Sequence, residues 1–136
     1  QVERVRELAG ARVDVPSMVV THYVAVDGGE PVGVAYFDVH RVRTLEEVLM
    51  VVVNRNDQIR RLETVSFREP PEYKAPEGWL DRFHGRALGP ELSLKGEIPA
   101  MTGATLTARA VTEAARRVLA LHQVVRPFEG MGAPVR

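Results

Sequence analysis

Residues 47–67 read EVLMVVVNRNDQIRRLETVSF, and this stretch decides the fold class. Valine, branched at Cβ, is stiff at χ1 and packs well on a pleated surface, so EVLMVVV favours extended backbone. The tetrapeptide NRND follows. Asparagine and aspartate bond to their own backbone and tolerate left-handed conformations, which makes NRND a turn. QIRRLETVSF is a second extended run, and the three pieces together predict a β-hairpin. Leu49 to Val53 carry no polar alternation, so that strand is expected at the centre of a sheet, buried on both faces. Alternation fails at Arg60 and Arg61, where a bulge or an edge position is expected.

The same pattern holds on the N-terminal side. Across a basic connector lie MVVTHYVAV, the turn DGGEP and VGVAYFDV, which predict a hairpin of Met18–Val26 and Val32–Val39. Before it, VERVRELAG places Val2, Val5 and Leu8 three apart and stops at Gly10, the pattern of a short amphipathic helix. On the C-terminal side, REPPEYKAPEGW ends regular structure near Glu69 with three prolines. PEGWLDRFHG predicts a short helix with Trp79 and Phe83 four apart on one face. A long helix is expected from Thr105 to His122. Its apolar stripe reads as Leu106, Ala110, Ala114, Val118 and Leu121, with Arg109, Glu113, Arg116 and Arg117 pointing elsewhere. The sum is an α+β fold, a mainly antiparallel sheet packed by helices. One domain is expected over 1–136, with a lead-in at 1–17, a core at 18–123 and a tail at 124–136.

Composition narrows the function. The 136 residues can bury one sizeable core. Eighteen basic residues balance eighteen acidic ones, so no global field favours nucleic acid or an anionic membrane. With no cysteine, disulfides, thiolate metal sites and thiol nucleophiles are excluded. No run reaches the roughly 18 to 20 apolar residues of a membrane span. The chain opens at Gln1, so any leader or membrane anchor is expected outside these residues.

Familiar chemistry is missing. His22, His40, His84 and His122 show no HxxxH or HExxH spacing and read as surface or partly buried residues rather than ligands. Ser17, Ser66 and Ser93 lie in no GxSxG context. Neither a P-loop nor a strand–GxGxxG–helix unit occurs. The pairs Glu46/Glu47 and Glu69/Glu72 read as solvated acidic surface.

IPAMTGATLTARAVTEAARR, residues 98–117, is different. Three threonines, Thr102, Thr105 and Thr107, crowd a helix mouth where one cap suffices. A helix N-terminus offers unpaired N–H groups and about half a positive charge, so it attracts anions, phosphate above all. Gly103 permits close backbone approach and the hydroxyls can bond to phosphate oxygens. By spacing alone, Thr102 or Thr105 as a simple N-cap is an equal reading.

TGATLT resembles the S/T-G-A-T signature of FMN-binding domains, as in the FMN-carrying subunits of sodium-pumping NADH:quinone reductases and Rnf-type electron-transfer complexes. In that family the last threonine of the tetrapeptide carries FMN through a phosphoester installed by a dedicated FMN transferase that uses FAD. The matching residue is Thr105. The resemblance implies that Thr102, Gly103 and Ala104 turn around the phosphate and that Leu106 and Thr107 begin the helix beyond it. A weaker match lies upstream, where the family often has H-x-E-T-P-G-L-G beside the flavin ring. FREPPEYK keeps Glu69 and Pro71 in that register, but has Phe67 at the histidine, Tyr73 at the leucine, and Glu72 and Lys74 at the glycines. Phe67, Glu69, Pro71, Tyr73 and Trp79 are the implied ring contacts, with the aromatics equally readable as core. Arg109, one turn into the helix, could meet the phosphate. The resemblance spans most of 18–123, and only TGAT is a sharp motif. One departure stands out: the family commonly has aspartate three residues before the signature, and here that position is Pro99.

A tethered flavin implies an electron-transfer domain that relays electrons between redox partner proteins, a carrier more than a stand-alone enzyme, since no acid–base set for turnover is visible. The resemblance also implies an extracytoplasmic setting. Two alternatives stay open: a flavin-free interaction module of the same fold, and a flavin reductase with its own small-molecule donor.

Overall fold

The computed structural model describes residues 21–27, 30–94 and 96–126. The expected helix at 2–10, the first strand before residue 21 and the centre of its turn lie outside them. Four antiparallel strands follow in sequence order, β1 (Thr21–Asp27), β2 (Glu30–Arg41), β3 (Glu46–Asn54) and β4 (Ile59–Phe67). The two hairpins are those the sequence predicts. In the second turn, Asn54 Oδ1 accepts from the N–H groups of Asn56 and Gln58 at 2.8 and 3.0 Å, and Asp57 takes a positive φ of 61°. This is the local bonding that suits Asx residues to turns.

The broken alternation in β4 has its expected cause. Val52 pairs with Arg61 and Val53 with Ile59, so Arg60 is the extra residue of a bulge. A second shift, between Val48/Ser66 and Leu49/Thr64, leaves Val65 unpaired in the same way. β3 is indeed internal, but only one of its faces is fully buried. Glu47, Leu49, Val51 and Val53 are buried while Val48, Met50 and Val52 are half-buried.

After β4, a single 3-10 turn (Pro71–Tyr73) precedes the short helix α1 (Glu77–Leu80), which continues into a second 3-10 turn (Asp81–Phe83). Trp79 and Phe83 meet edge-on at 5.1 Å, as their spacing predicts. The chain then docks along the outer end of β4, with Ile59 donating to Arg86 O at 2.8 Å and Gly85 to Ile59 O at 2.7 Å. The long helix α2 (Thr105–Val125) closes the structure and lies on the inner sheet face. Val34, Tyr36, Leu49, Val51, Val53 and Leu62 form the core with Ala108, Val111, Ala115, Val118 and Leu119. The helix runs three residues past the expected end and turns off at Arg126, in left-handed conformation with φ 50°. The expected tail at 124 therefore starts too early. No helix among the described residues is long and apolar enough to cross a membrane.

Candidate functional site

The turn that leads into α2 answers why so many threonines crowd there. Gly103 has φ +79°, and a Cβ placed on it would meet nothing within 4 Å. Glycine is therefore suited here by the left-handed backbone and not by crowding. Ala104 occupies the N-cap with φ −140°, its carbonyl accepting from Ala108 N–H at 3.0 Å, and no side chain caps the helix. The threonines go separate ways. Thr107 is buried beneath the helix at 1% exposure, while Thr102 and Thr105 are exposed. Neither acts as the N-cap, so the N–H groups of the first turn face outward without a hydroxyl partner.

A groove of about 410 Å³ lies between α2, from Leu106 onward, and one end of the sheet. Leu106, Arg109, Ala110, Glu113 and Arg117 form its helix side, and Val39, His40, Arg41, Val42 and Glu46 form its sheet side. Thr105 stands one turn before Arg109 and shares its face. Part of the expected apolar stripe is thus not core: Leu106 is 44% exposed. Ala114 and Val118 of the expected stripe are buried, but the buried face is centred further round the helix, on Ala108, Val111, Ala115, Leu119 and His122. Small and polar side chains made this possible. Thr112 is buried because its hydroxyl donates to Ala108 O at 2.7 Å, which satisfies it inside the core.

Behind the groove lies a buried ionic row. The β2–β3 register sets His40 opposite Glu47 and Asp38 opposite Leu49 on the inner face. Arg117 donates to Asp38 through Nε and Nη2, each at 2.8 Å, a bidentate pair. His40 sits between two carboxylates, with Nδ1 3.0 Å from Asp38 Oδ1 and Nε2 2.7 Å from Glu47 Oε1. Burial pushes the Asp38 carboxyl up, but the bonds from Arg117 and His40 outweigh it and hold it below the ordinary value. For His40 burial pulls down, and the bonds to Asp38 and Glu47 more than restore it, leaving it above the ordinary value. Three expectations are corrected here. Arg117 does not point away from the core, Glu47 is not solvated but 0% exposed, and His122, 2% exposed, is fully interior. Arg117 and His122 are stabilised inside by partners distant in sequence, Asp38 and Tyr36, and Glu47 by His40 across the β2–β3 hairpin.

The residues matched to the ring-side motif lie elsewhere. Glu69 is buried, and its Oε2 accepts from the N–H groups of Arg43, Thr44 and Leu45 at 2.9, 2.8 and 2.9 Å. The bonds from Leu45 and Thr44 in particular hold its carboxyl below the ordinary range. Tyr73 lies under the Arg43 guanidinium, 5.3 Å from ring centre to Cζ. Pro71 opens the 3-10 turn and Phe67 is a half-buried partner of Glu47 across the strands. None of Phe67, Glu69, Pro71 and Tyr73 lines the groove. Glu69 and Tyr73 instead hold the β2–β3 link, whose two ends, Val42 and Glu46, do. Trp79 donates its indole N–H to Pro99 O at 2.7 Å and packs on Phe83, so it ties down the segment that leads into TGAT.

The sheet side of the groove escaped the sequence reading. Its signal was the basic connector after β2, but which of its side chains meet the helix depends on a register that spacing does not give. Among the described residues, no three histidine, aspartate or glutamate side chains form a metal-holding group. In comparison with known proteins, a family model described as the FMN-binding domain matches residues 46–120. That stretch contains the start of β3, the Glu69 loop, the signature and the groove-lining part of α2. No curated protein and no solved structure gives a significant match.

Proposed function

The chain belongs to the FMN-binding domain family, and from that premise we propose that it carries FMN as a tethered electron carrier, linked by a phosphoester to Thr105. One observation carries the proposal: an exposed threonine stands at an uncapped helix mouth, and a groove begins at the next residue, Leu106. The residues fit the group. First-turn N–H groups and the turn at Thr102, Gly103 and Ala104 would hold a phosphate, with Arg109 one turn away as a counter-charge. A volume near 410 Å³ falls in the range of about 300 to 1,000 Å³ usual for small-molecule sites. The groove joins apolar Val39, Val42, Leu106 and Ala110 to four cationic side chains and two carboxylates, a lining suited to an anionic, partly apolar ligand.

When bound, the isoalloxazine ring supplies one- and two-electron chemistry, and the protein contributes placement and charge. The partners are an FMN transferase for maturation and redox proteins on either side of the electron path, in an extracytoplasmic setting.

Coexpression with an FMN transferase is the test. The mass should rise by one FMN less one water, the label should survive denaturation, and peptide mapping should find it at Thr105. A label on another residue overturns the assignment. Loaded protein should be reduced rapidly by dithionite and slowly by NADH alone. Fast, saturable NADH oxidation without oxygen would make the protein a reductase instead of a carrier.

A further inference from the structure

The buried row behind the groove is ordered by charge. Its two cations, His40 and Arg117, line the groove, whereas its two carboxylates, Asp38 and Glu47, do not and are 1% and 0% exposed. The wall that a ligand meets is cationic, with its counter-charges hidden behind it.

The protonation of His40 follows from hydrogen-bond arithmetic. Both ring nitrogens lie within bonding distance of carboxylate oxygens, at 3.0 and 2.7 Å. An ionised carboxylate only accepts, and a neutral imidazole has one N–H, so only the imidazolium donates to both. Asp38 is held as the carboxylate by its bidentate bond to Arg117. The other oxygen of Glu47, Oε2, is buried without a hydrogen-bond partner. Among the described residues His40 is thus the one hydrogen-bond partner of the Glu47 side chain. Burial opposes the imidazolium, but the two carboxylates outweigh it.

We propose that His40 is the charge-setting residue of the groove: with Arg117 it forms a cationic wall that stabilises negative charge on a bound flavin ring, and this effect is lost when His40 gives up its proton. The proposal rests on reading the groove as the ring's site. The remaining charges at the groove cancel, Arg41 and Arg109 against Glu46 and Glu113, so beside the fixed charge of Arg117 the state of His40 sets how positive the wall is. Being a weakly exposed group, it is also shielded from the salt that screens the rim.

Two measurements test it. Imidazole ¹⁵N NMR on flavin-free protein should show both His40 nitrogens protonated at pH 7, with a titration above that of an ordinary histidine. Glu47→Gln, close in size, should move that titration down. A neutral His40 at pH 7, or a titration unmoved by Glu47→Gln, overturns the proposal without reference to any flavin. On FMN-loaded protein, His40→Gln should shift the midpoint potential to a more negative value at pH 7, and the gap from wild type should close as pH rises through the His40 titration. Equal potentials in protein that does load overturn this proposal alone. Failure of every form to take up flavin under coexpression overturns the functional reading instead, and the ring's part of this proposal with it.

Discussion

The two ends of α2 are built for different ends. At its C-terminal half the buried polar side chains are committed: Arg117 grips Asp38, and His122 bonds the Tyr36 hydroxyl at 2.7 Å through Nδ1 and Asp57 at 3.2 Å through Nε2. The helix is thereby fastened to β2 and to the β3–β4 turn. Burial and the nearby Asp57 carboxylate raise the Tyr36 phenol well above its ordinary value, so its hydroxyl keeps its proton across the physiological range. At the N-terminal half there is no side-chain cap, Leu106 is 44% exposed, and Thr105 faces out. A fold can afford one loose helix end when the other is tied. The difference teaches where stability was given up, and such places are where ligands bind.

Removal of a fastening should cost most. Arg117→Ala leaves Asp38 buried without its partner and should destabilise the protein by about 3 to 5 kcal/mol. Leu106→Ala, on the same helix, should cost less, since that side chain is already half in water. Urea denaturation of both variants measures the contrast. A larger loss for Leu106→Ala would mean that the groove end carries the fold and that the comparison is inverted.

The next effect is pH-dependent, because the tied end contains groups whose protonation differs between folded and unfolded chains. His40 is raised when folded, so its contribution is complete below the ordinary value of 6.5 and is lost as pH rises through the raised one. Asp38 is lowered when folded, so its contribution is present above the ordinary value of 3.8 and is lost as pH falls through the lowered one. Stability should be greatest between these limits and fall on both sides. His40→Gln should flatten the alkaline limb most and, because His40 also helps hold Asp38 low, soften the acid limb to a smaller degree, which a series of urea midpoints against pH would show. Parallel curves for wild type and variant would remove His40 from the account.

How much of this was readable beforehand divides along the same line. Both hairpins, the bulge at Arg60, the Trp79–Phe83 pair and α2 follow from local periodicity, and all are present. The helix face was misread, because Leu106 looks like core by hydrophobicity while Thr107 and Thr112 do not look buried. Their burial depends on bonds and packing that composition does not reveal. Glu47, Glu69 and Arg117 were read as solvated for the same reason. Their partners, His40, the 43–45 backbone and Asp38, are brought to them only by strand register and helix placement. The signature itself was legible at the level of residues. What surrounds it, residues 39–42, was not, since a strand end carries no mark of what will pack beside it.

A smaller effect is expected just ahead of the signature. Pro99 is exposed, and its carbonyl, not its ring, accepts the Trp79 indole N–H. Pro99→Asp keeps that carbonyl and should cost only about 0.4 to 1 kcal/mol, the loss of proline's restraint on the unfolded chain. If a carboxylate there helps the transferase, the flavinylated fraction under limiting transferase should rise. An unchanged fraction would mean that this chain is recognised by other residues of the turn.

The smallest cost to the fold should come from the residue proposed to carry the flavin. Thr105 is exposed, occupies the first helical position and makes no capping bond. A cap residue replaced by alanine would cost about 0.5 to 2 kcal/mol, but Thr105 is not one, and alanine is the better helix former. Thr105→Ala should therefore leave the urea midpoint within about 0.5 kcal/mol of wild type. Covalent flavin should nonetheless disappear from the mass spectrum under the same coexpression. A loss of stability near the cap range would show that the hydroxyl closes the helix in solution, and the open mouth would then be no feature of the free protein. Retained label on the alanine variant would place the bond on another hydroxyl, with Thr102 the exposed neighbour to map first.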